Sequence, residues 1–132
     1  MLHQRAETPV ALAGVEASKA FFAPCFAYAA REQLWVAHVD RQARCIHLAS
    51  YDGDEQQVDF PVGEIIRDAA NLGSAGIVLA HNHPSGDSRP SSSDVRATRK
   101  LATAAEALDV TVLDHLIFAG ADCTSMRRMG LL

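Results

Sequence analysis

The residues best suited to chemistry in this chain lie in one short run, His81-Asn82-His83-Pro84-Ser85-Gly86, followed by Ser91 and Asp94. Two histidines two positions apart fall on the same side of an extended strand, so both imidazoles can point at one metal ion. Pro84 and Gly86 favour a sharp turn directly afterwards, and Asp94 stands where such a turn can return a carboxylate to the same point. Two ring nitrogens, one carboxylate oxygen and an open fourth position describe a catalytic zinc site. Each piece alone has a plainer explanation. Ser91-x-x-Asp94 fits the N-terminal cap of a helix, with Asp94 in the first turn against the helix dipole, and an isolated HxH is a weak metal signal. The conjunction favours a metal, because a tight turn has no structural need for two histidines and burying both without partners is costly. Capping and ligation by Asp94 do not exclude each other.

The elements that must position these side chains follow from apolar spacing. Ile77-Val78-Leu79-Ala80 is a continuous apolar strand, buried on both faces, that ends directly in His81. Ser91 to Leu108 is the clearest helix, with Val95, Leu101, Ala102, Ala105 and Leu108 on its apolar side. Val62 to Leu72 is a second, closed by Asn71, Gly73 and Gly76. The stretch from Val10 to Ala30 reads as helix broken near Pro24. Leu34 to Val39 and Cys45 to Ala49 form a hairpin across Asp40-Arg41-Gln42-Ala43-Arg44. Gln57 to Phe60 reads as a further strand after the turn Asp52-Gly53-Asp54. Val110 to Leu113 and Leu116 to Ala119 read as two more strands with Asp114 and His115 between them, and Ser125 to Leu132 as a short helical cap. The residues through about Pro9 read as a tail. The expected fold is therefore a single α/β domain, a small mixed sheet flanked by helices.

Composition bounds the function. The 132 residues are 48% hydrophobic and 21% charged, ordinary for a soluble globular domain, and the net charge is −4. Arg96, Arg99, Lys100, Arg127 and Arg128 read as solvated faces, so autonomous binding to a phosphate backbone is disfavoured. Three cysteines, Cys25, Cys45 and Cys123, show no CxxC spacing and fit free thiols in a reducing compartment. No apolar run reaches membrane-spanning length and no signal peptide is evident, so a cytoplasmic protein without membrane contact is the expectation. HxH without a downstream PCxxC argues against a nucleobase deaminase. His38 and His47 read as packed or surface groups, His3 as part of the tail, and His115 as a core hydrogen-bonding group more readily than a support for the metal.

The string HNHPSGD…PSxxD resembles the JAMM (MPN+) metalloprotease motif in the form found in bacterial RadC-like proteins. That pattern is a glutamate, then HxH, seven residues, Ser, two residues and Asp; here His83 is followed by residues 84–90, Ser91, two serines and Asp94 without a gap. The resemblance continues through Arg31-Glu32, Leu113-Asp114-His115-Leu116-Ile117 and Ser125-Met126-Arg127-Arg128-Met129-Gly130, roughly residues 20 to 130. It implies a JAMM/MPN-like, cytidine-deaminase-like sandwich. It implies His81, His83 and Asp94 as zinc ligands, and Glu32 as the family glutamate, a choice the residues alone leave open among Glu16, Glu32, Glu55 and Glu64. It further implies amide or isopeptide hydrolysis of a protein or peptide substrate, with Glu32 as general base and Ser91 as oxyanion donor.

Two departures matter. Only about 20 residues precede the resemblance, too few for the helix-hairpin-helix segment that many RadC-like proteins carry. The loop Asp87-Ser88-Arg89-Pro90 also places its proline further from Gly86 than is usual. The competing class is a DNA-repair-associated accessory or binding protein with a non-catalytic metal site. The ligand set favours the enzyme, because a structural zinc prefers four protein ligands. Whether the chain forms a homodimer, which bond is cut and which divalent ion is held are left open by the sequence.

Overall fold

The computed structural model describes residues 10–51 and 60–132. The expected tail through Pro9 and the turn Asp52-Gly53-Asp54 lie outside the described residues, as does all of the Gln57–Phe60 strand except Phe60, which is irregular.

Five strands form one mixed sheet: β1 (Leu34–Val39), β2 (Cys45–Tyr51), β3 (Gly76–Asn82), β4 (Thr111–Ala119) and β5 (Asp122–Ser125), in the order β2-β1-β3-β4-β5. Only β3 and β4 run parallel. The remaining neighbours are antiparallel. That pattern follows from the connections. A short polar turn suffices for the β1–β2 hairpin, whereas the parallel pair needs a crossover helix. The crossover is α3 (Ser92–Glu106), while α1 (Val15–Phe22) and α2 (Val62–Leu72) precede β1 and β3.

The helices cover the two faces of the sheet. Leu34, Val36, Ile77 and Leu79 pack with Ile65 and Ala69 of α2 and with Leu101 and Ala105 of α3. On the other face Ala37, Leu48, Val78, Ala80 and Leu116 pack with Leu12 and Phe22. Every residue of β3 is buried, as a central strand covered on both sides requires. α2 stops at Gly73, which takes the left-handed conformation at φ 67° while Ser74 N–H reaches back to the Ala69 carbonyl.

Several expectations are corrected. The first helix is shorter than Val10–Ala30: it ends at Phe22 and gives way to a 3-10 turn, Ala23–Phe26, that absorbs Pro24. Residues 10–12 instead line the start of β2, with Cys45 N–H donating to the Val10 carbonyl and Leu12 N–H to the Ala43 carbonyl. β3 runs on through His81 and Asn82 rather than stopping before them. Asp114 and His115 do not interrupt a strand but lie inside the single strand β4. The C-terminal helical cap is absent: β5 ends at Ser125 and turns follow. Asp114 explains both of the last two results. Its carboxylate accepts from Ser125 Oγ (2.6 Å), from Arg127 N–H (3.1 Å) and from its neighbour His115 N–H (2.7 Å), which pins the terminal segment as a turn. Among the described residues no helix is long and apolar enough to cross a membrane, and all three cysteines are free thiols.

Candidate metal centre

The site forms where β3 leaves the sheet. His81 and His83 flank Asn82, so their rings fall on one side, and the chain then turns with Gly86 N–H on the His83 carbonyl (3.1 Å) and Gly86 at φ 92°. The loop delivers Ser91 to the N-terminus of α3. There Ser91 Oγ accepts Asp94 N–H (3.0 Å) and Asp94 Oδ2 accepts Ser91 N–H (2.8 Å), a reciprocal cap. The same carboxylate faces the histidines: Oδ2 lies 3.1 Å from His83 Nε2, and Oδ1 lies 3.4 Å from His81 Nε2. The two Nε2 atoms are 2.9 Å apart. Asp94 therefore fills both roles that the sequence leaves open, cap and convergent carboxylate.

Where the protons sit follows from the partners. His83 Nδ1 is 2.8 Å from the Asp87 carbonyl, which can only accept, so that nitrogen carries a proton and in the neutral ring Nε2 is bare. His81 is set by a longer chain. Thr98 Oγ–H donates to the Asp94 carbonyl (2.7 Å), so Thr98 Oγ accepts from His115 Nδ1–H (2.7 Å). His115 Nε2 is then bare and accepts from His81 Nδ1–H (2.6 Å). His81 Nε2 is left as a second lone pair aimed at the first. Burial pushes the His115 ring well below the usual histidine value; His81 and His83 push the same way against an opposing pull from Asp94. A neutral His115 is what the relay needs.

With both rings neutral, three acceptor-only groups converge within 3.4 Å. Such an arrangement is repulsive unless a proton or a metal cation lies between the groups. Burial alone would raise the Asp94 carboxyl. A protonated His81, through its hydrogen bond and charge, together with the bonds at Ser91, overrides that and holds it well below the usual carboxylate range, and a metal cation in place of that proton would pull the same way. The donor set of two imidazoles and one carboxylate fits a divalent ion with borderline-soft preference, zinc foremost.

Glu32 joins this group from the neighbouring strand. The β1–β3 register pairs Leu34 with His81, so two steps further on Glu32 falls opposite His83. A Glu32 carboxylate oxygen and one nitrogen each of His81 and His83 all lie within 4.8 Å of one another. Glu32 is exposed and Asp94 is 4% exposed, so the two carboxylates approach the imidazoles from different environments. The structure therefore gathers His81, His83, Asp94 and Glu32, with Ser91 tied to Asp94 and its hydroxyl 3.2 Å from Ser93 Oγ. The sequence reading missed Thr98, underrated His115 and passed over Asn82. Their only signal is position, and their partners lie 17 to 51 residues away.

A groove of about 470 Å³ opens beside His83, between Ala23, Phe26 and Ala30 on one wall and Asn82, Pro84 and Phe118 on the other. A slightly larger concavity of about 510 Å³ lies at the far end of β3, around Val39, Ser74, Gly76 and Thr111. It is remote from the histidine cluster, and the groove at His83 is the one that reaches convergent polar groups.

Comparison with known proteins gives the family. A family model described as RadC-like JAB domain matches residues 12–131. A UPF0758 protein of Roseiflexus castenholzii is 38% identical over 102 residues, covering 76% of this chain and 44% of the relative. UPF0758 proteins of Chloroflexus aurantiacus and Chloroflexus aggregans are 41% identical over 102 residues and 40% identical over 81. The first covers 76% of this chain and 44% of the relative, the second 61% and 35%. The chain thus spans less than half the length of these curated relatives.

Proposed function

The chain belongs to the RadC-like JAB domain family, and on that premise we propose that it is a zinc-dependent hydrolase of amide bonds in a protein or peptide substrate. The observation that carries the reading is the convergence of two bare Nε2 lone pairs and a buried carboxylate with a second, exposed carboxylate beside them. His81, His83 and Asp94 hold the ion. Bound there, zinc supplies Lewis acidity and lowers the pKa of water to about 7. Glu32, open to solvent at the mouth of the site, takes the proton from the attacking water and returns it to the departing amine. Ser91 accepts Asp94 N–H through an oxygen lone pair, so its own hydrogen is free to turn from Ser93 to the oxyanion formed at the substrate carbonyl. The apolar wall of the groove beside His83 seats the peptide on one side of the cut bond.

The test is turnover of a mixed-sequence quenched-fluorescence peptide library by the zinc-supplied protein. Glu32→Gln is expected to lower the rate by about 10²–10⁴-fold, the range for a general base, while zinc content stays at the wild-type level. Undiminished turnover in Glu32→Gln would remove that residue from the mechanism. Retention on DNA at low salt, lost as salt is raised, would favour the DNA-associated reading instead.

A further inference from the structure

The ladder between β1 and β3 ends at Leu34 and His81, and the next rung, Gln33 opposite Asn82, is not made by the backbone alone. The Asn82 side chain takes its place. Gln33 N–H donates to Asn82 Oδ1 (2.7 Å), and Asn82 Nδ2 donates to the Arg31 carbonyl (3.0 Å). These two bonds fall on the peptide groups either side of Glu32. Asn82 itself is 6% exposed and is held on its other side by β4, where it pairs with Phe118. Its two neighbours in sequence are the convergent histidines.

We propose that Asn82 is the positioning residue for Glu32: its carboxamide clamps the backbone at Arg31 and Gln33 and so fixes where the Glu32 carboxylate meets His81 and His83. The chemistry of the side chain explains the residue type. The clamp needs one acceptor and one donor at amide spacing, which Asn supplies. Aspartate keeps the acceptor but turns a second oxygen toward the Arg31 carbonyl, and alanine supplies neither. A strand entry is otherwise a place where backbone frays. Glu32 itself lies two residues before the first paired position of β1, outside the ladder. The inference rests on the reading of Glu32 as the base, and loss of position alone is worth about 100-fold in rate for a displacement near 1 Å.

Amide hydrogen exchange and kinetics on the full chain test it together. In Asn82→Ala, exchange at Gln33 is expected to accelerate by at least about tenfold, while Val36 and Leu79 keep their protection. Zinc affinity should stay near wild type, and kcat on the quenched peptide library should fall about 100-fold with KM little changed. Asn82→Asp, of the same size, keeps the Gln33 bond; it should lose kcat with Gln33 exchange close to wild type, and it carries the test if the alanine variant does not fold. Slow Gln33 exchange in Asn82→Ala overturns the clamp. So does full kcat in both variants when Glu32→Gln is impaired. If Glu32→Gln turns over normally while Gln33 exchange is accelerated in Asn82→Ala, the base reading fails and the clamp remains.

Discussion

His38 and His115 are both fully buried histidines directed at the layer formed by α2 and α3, yet their hydrogen-bond networks end in opposite ways. Around His38 every donor meets an acceptor. Ser74 Oγ–H donates to Nδ1 (3.0 Å), Nε2–H faces the Tyr51 hydroxyl (3.5 Å), and Tyr51 donates in turn to Asp68 (2.5 Å). The network closes on itself, joining β1, β2 and α2. The chain from His115 runs through His81 and stops at a bare nitrogen facing another bare nitrogen and a carboxylate. Burial of histidine therefore does not distinguish the two regions. The final group does: one network is complete within the protein, and the other ends in groups that a bound cation would complete.

The widest separation between the regions is expected from exchanging their losses. His83→Ala removes one of the three proposed ligands, a partly exposed ring, so it should abolish zinc retention while leaving thermal stability of the metal-free protein nearly intact. His38→Ala should do the reverse, retaining zinc but losing several kcal/mol by leaving the Ser74 hydroxyl without its acceptor and opening a cavity. Zinc content and urea unfolding of the two variants measure both sides.

A pH series separates them next. Burial, with a contribution from His47 and against an opposing one from Asp68, pushes His38 down to about 4 from 6.5. The folded ring stays neutral where the unfolded ring binds a proton, so stability is full above pH 6.5, falls as pH drops toward 4 and levels off below. The shift corresponds to about 3 kcal/mol across that window. Urea midpoints of metal-free protein should show this slope added to one of the same sign from His115, and His38→Gln should reduce the total by the His38 share.

His115→Leu removes the acceptor for His81 Nδ1–H and frees the His81 ring to change tautomer. Zinc affinity is expected to weaken about 10–100-fold, the range for loss of a group that orients a ligand, and competition with a chromophoric chelator reads it. Thr98→Val acts one step further out. It should cost about 1–3 kcal/mol of stability through an unpaired His115 Nδ1–H and shift zinc affinity less than the His115 variant does.

The same contrast shows what could be read from the chain and what could not. Leu34–Val39 and Val62–Leu72 match their elements end to end, because each is an apolar pattern bounded by residues that stop it. The candidate trio His81, His83 and Asp94 is legible because its members are close in sequence and their types are costly to bury without partners, and the structure brings the three together. Asp114-His115 reads as a break between strands because two polar residues rarely sit inside a buried strand. Only the fold supplies Ser125 to one and Thr98 and His81 to the other. Glu32 needed either the family pattern or the β1–β3 register, since 49 positions separate it from His81. Asn82 lies in plain view between the histidines, but its partners, Gln33 and Arg31 just before β1, are 49 and 51 residues away.

The central claim is that His81 Nε2, His83 Nε2 and Asp94 are held as bare acceptors for one cation. An anomalous difference map at the zinc edge, from crystals of zinc-supplied protein, tests it most directly. The account predicts one peak per chain, bonded to those two nitrogens and the Asp94 carboxylate, and none at His38. No peak at the site after zinc is supplied, or a peak bound through Nδ1 of either histidine, would contradict it.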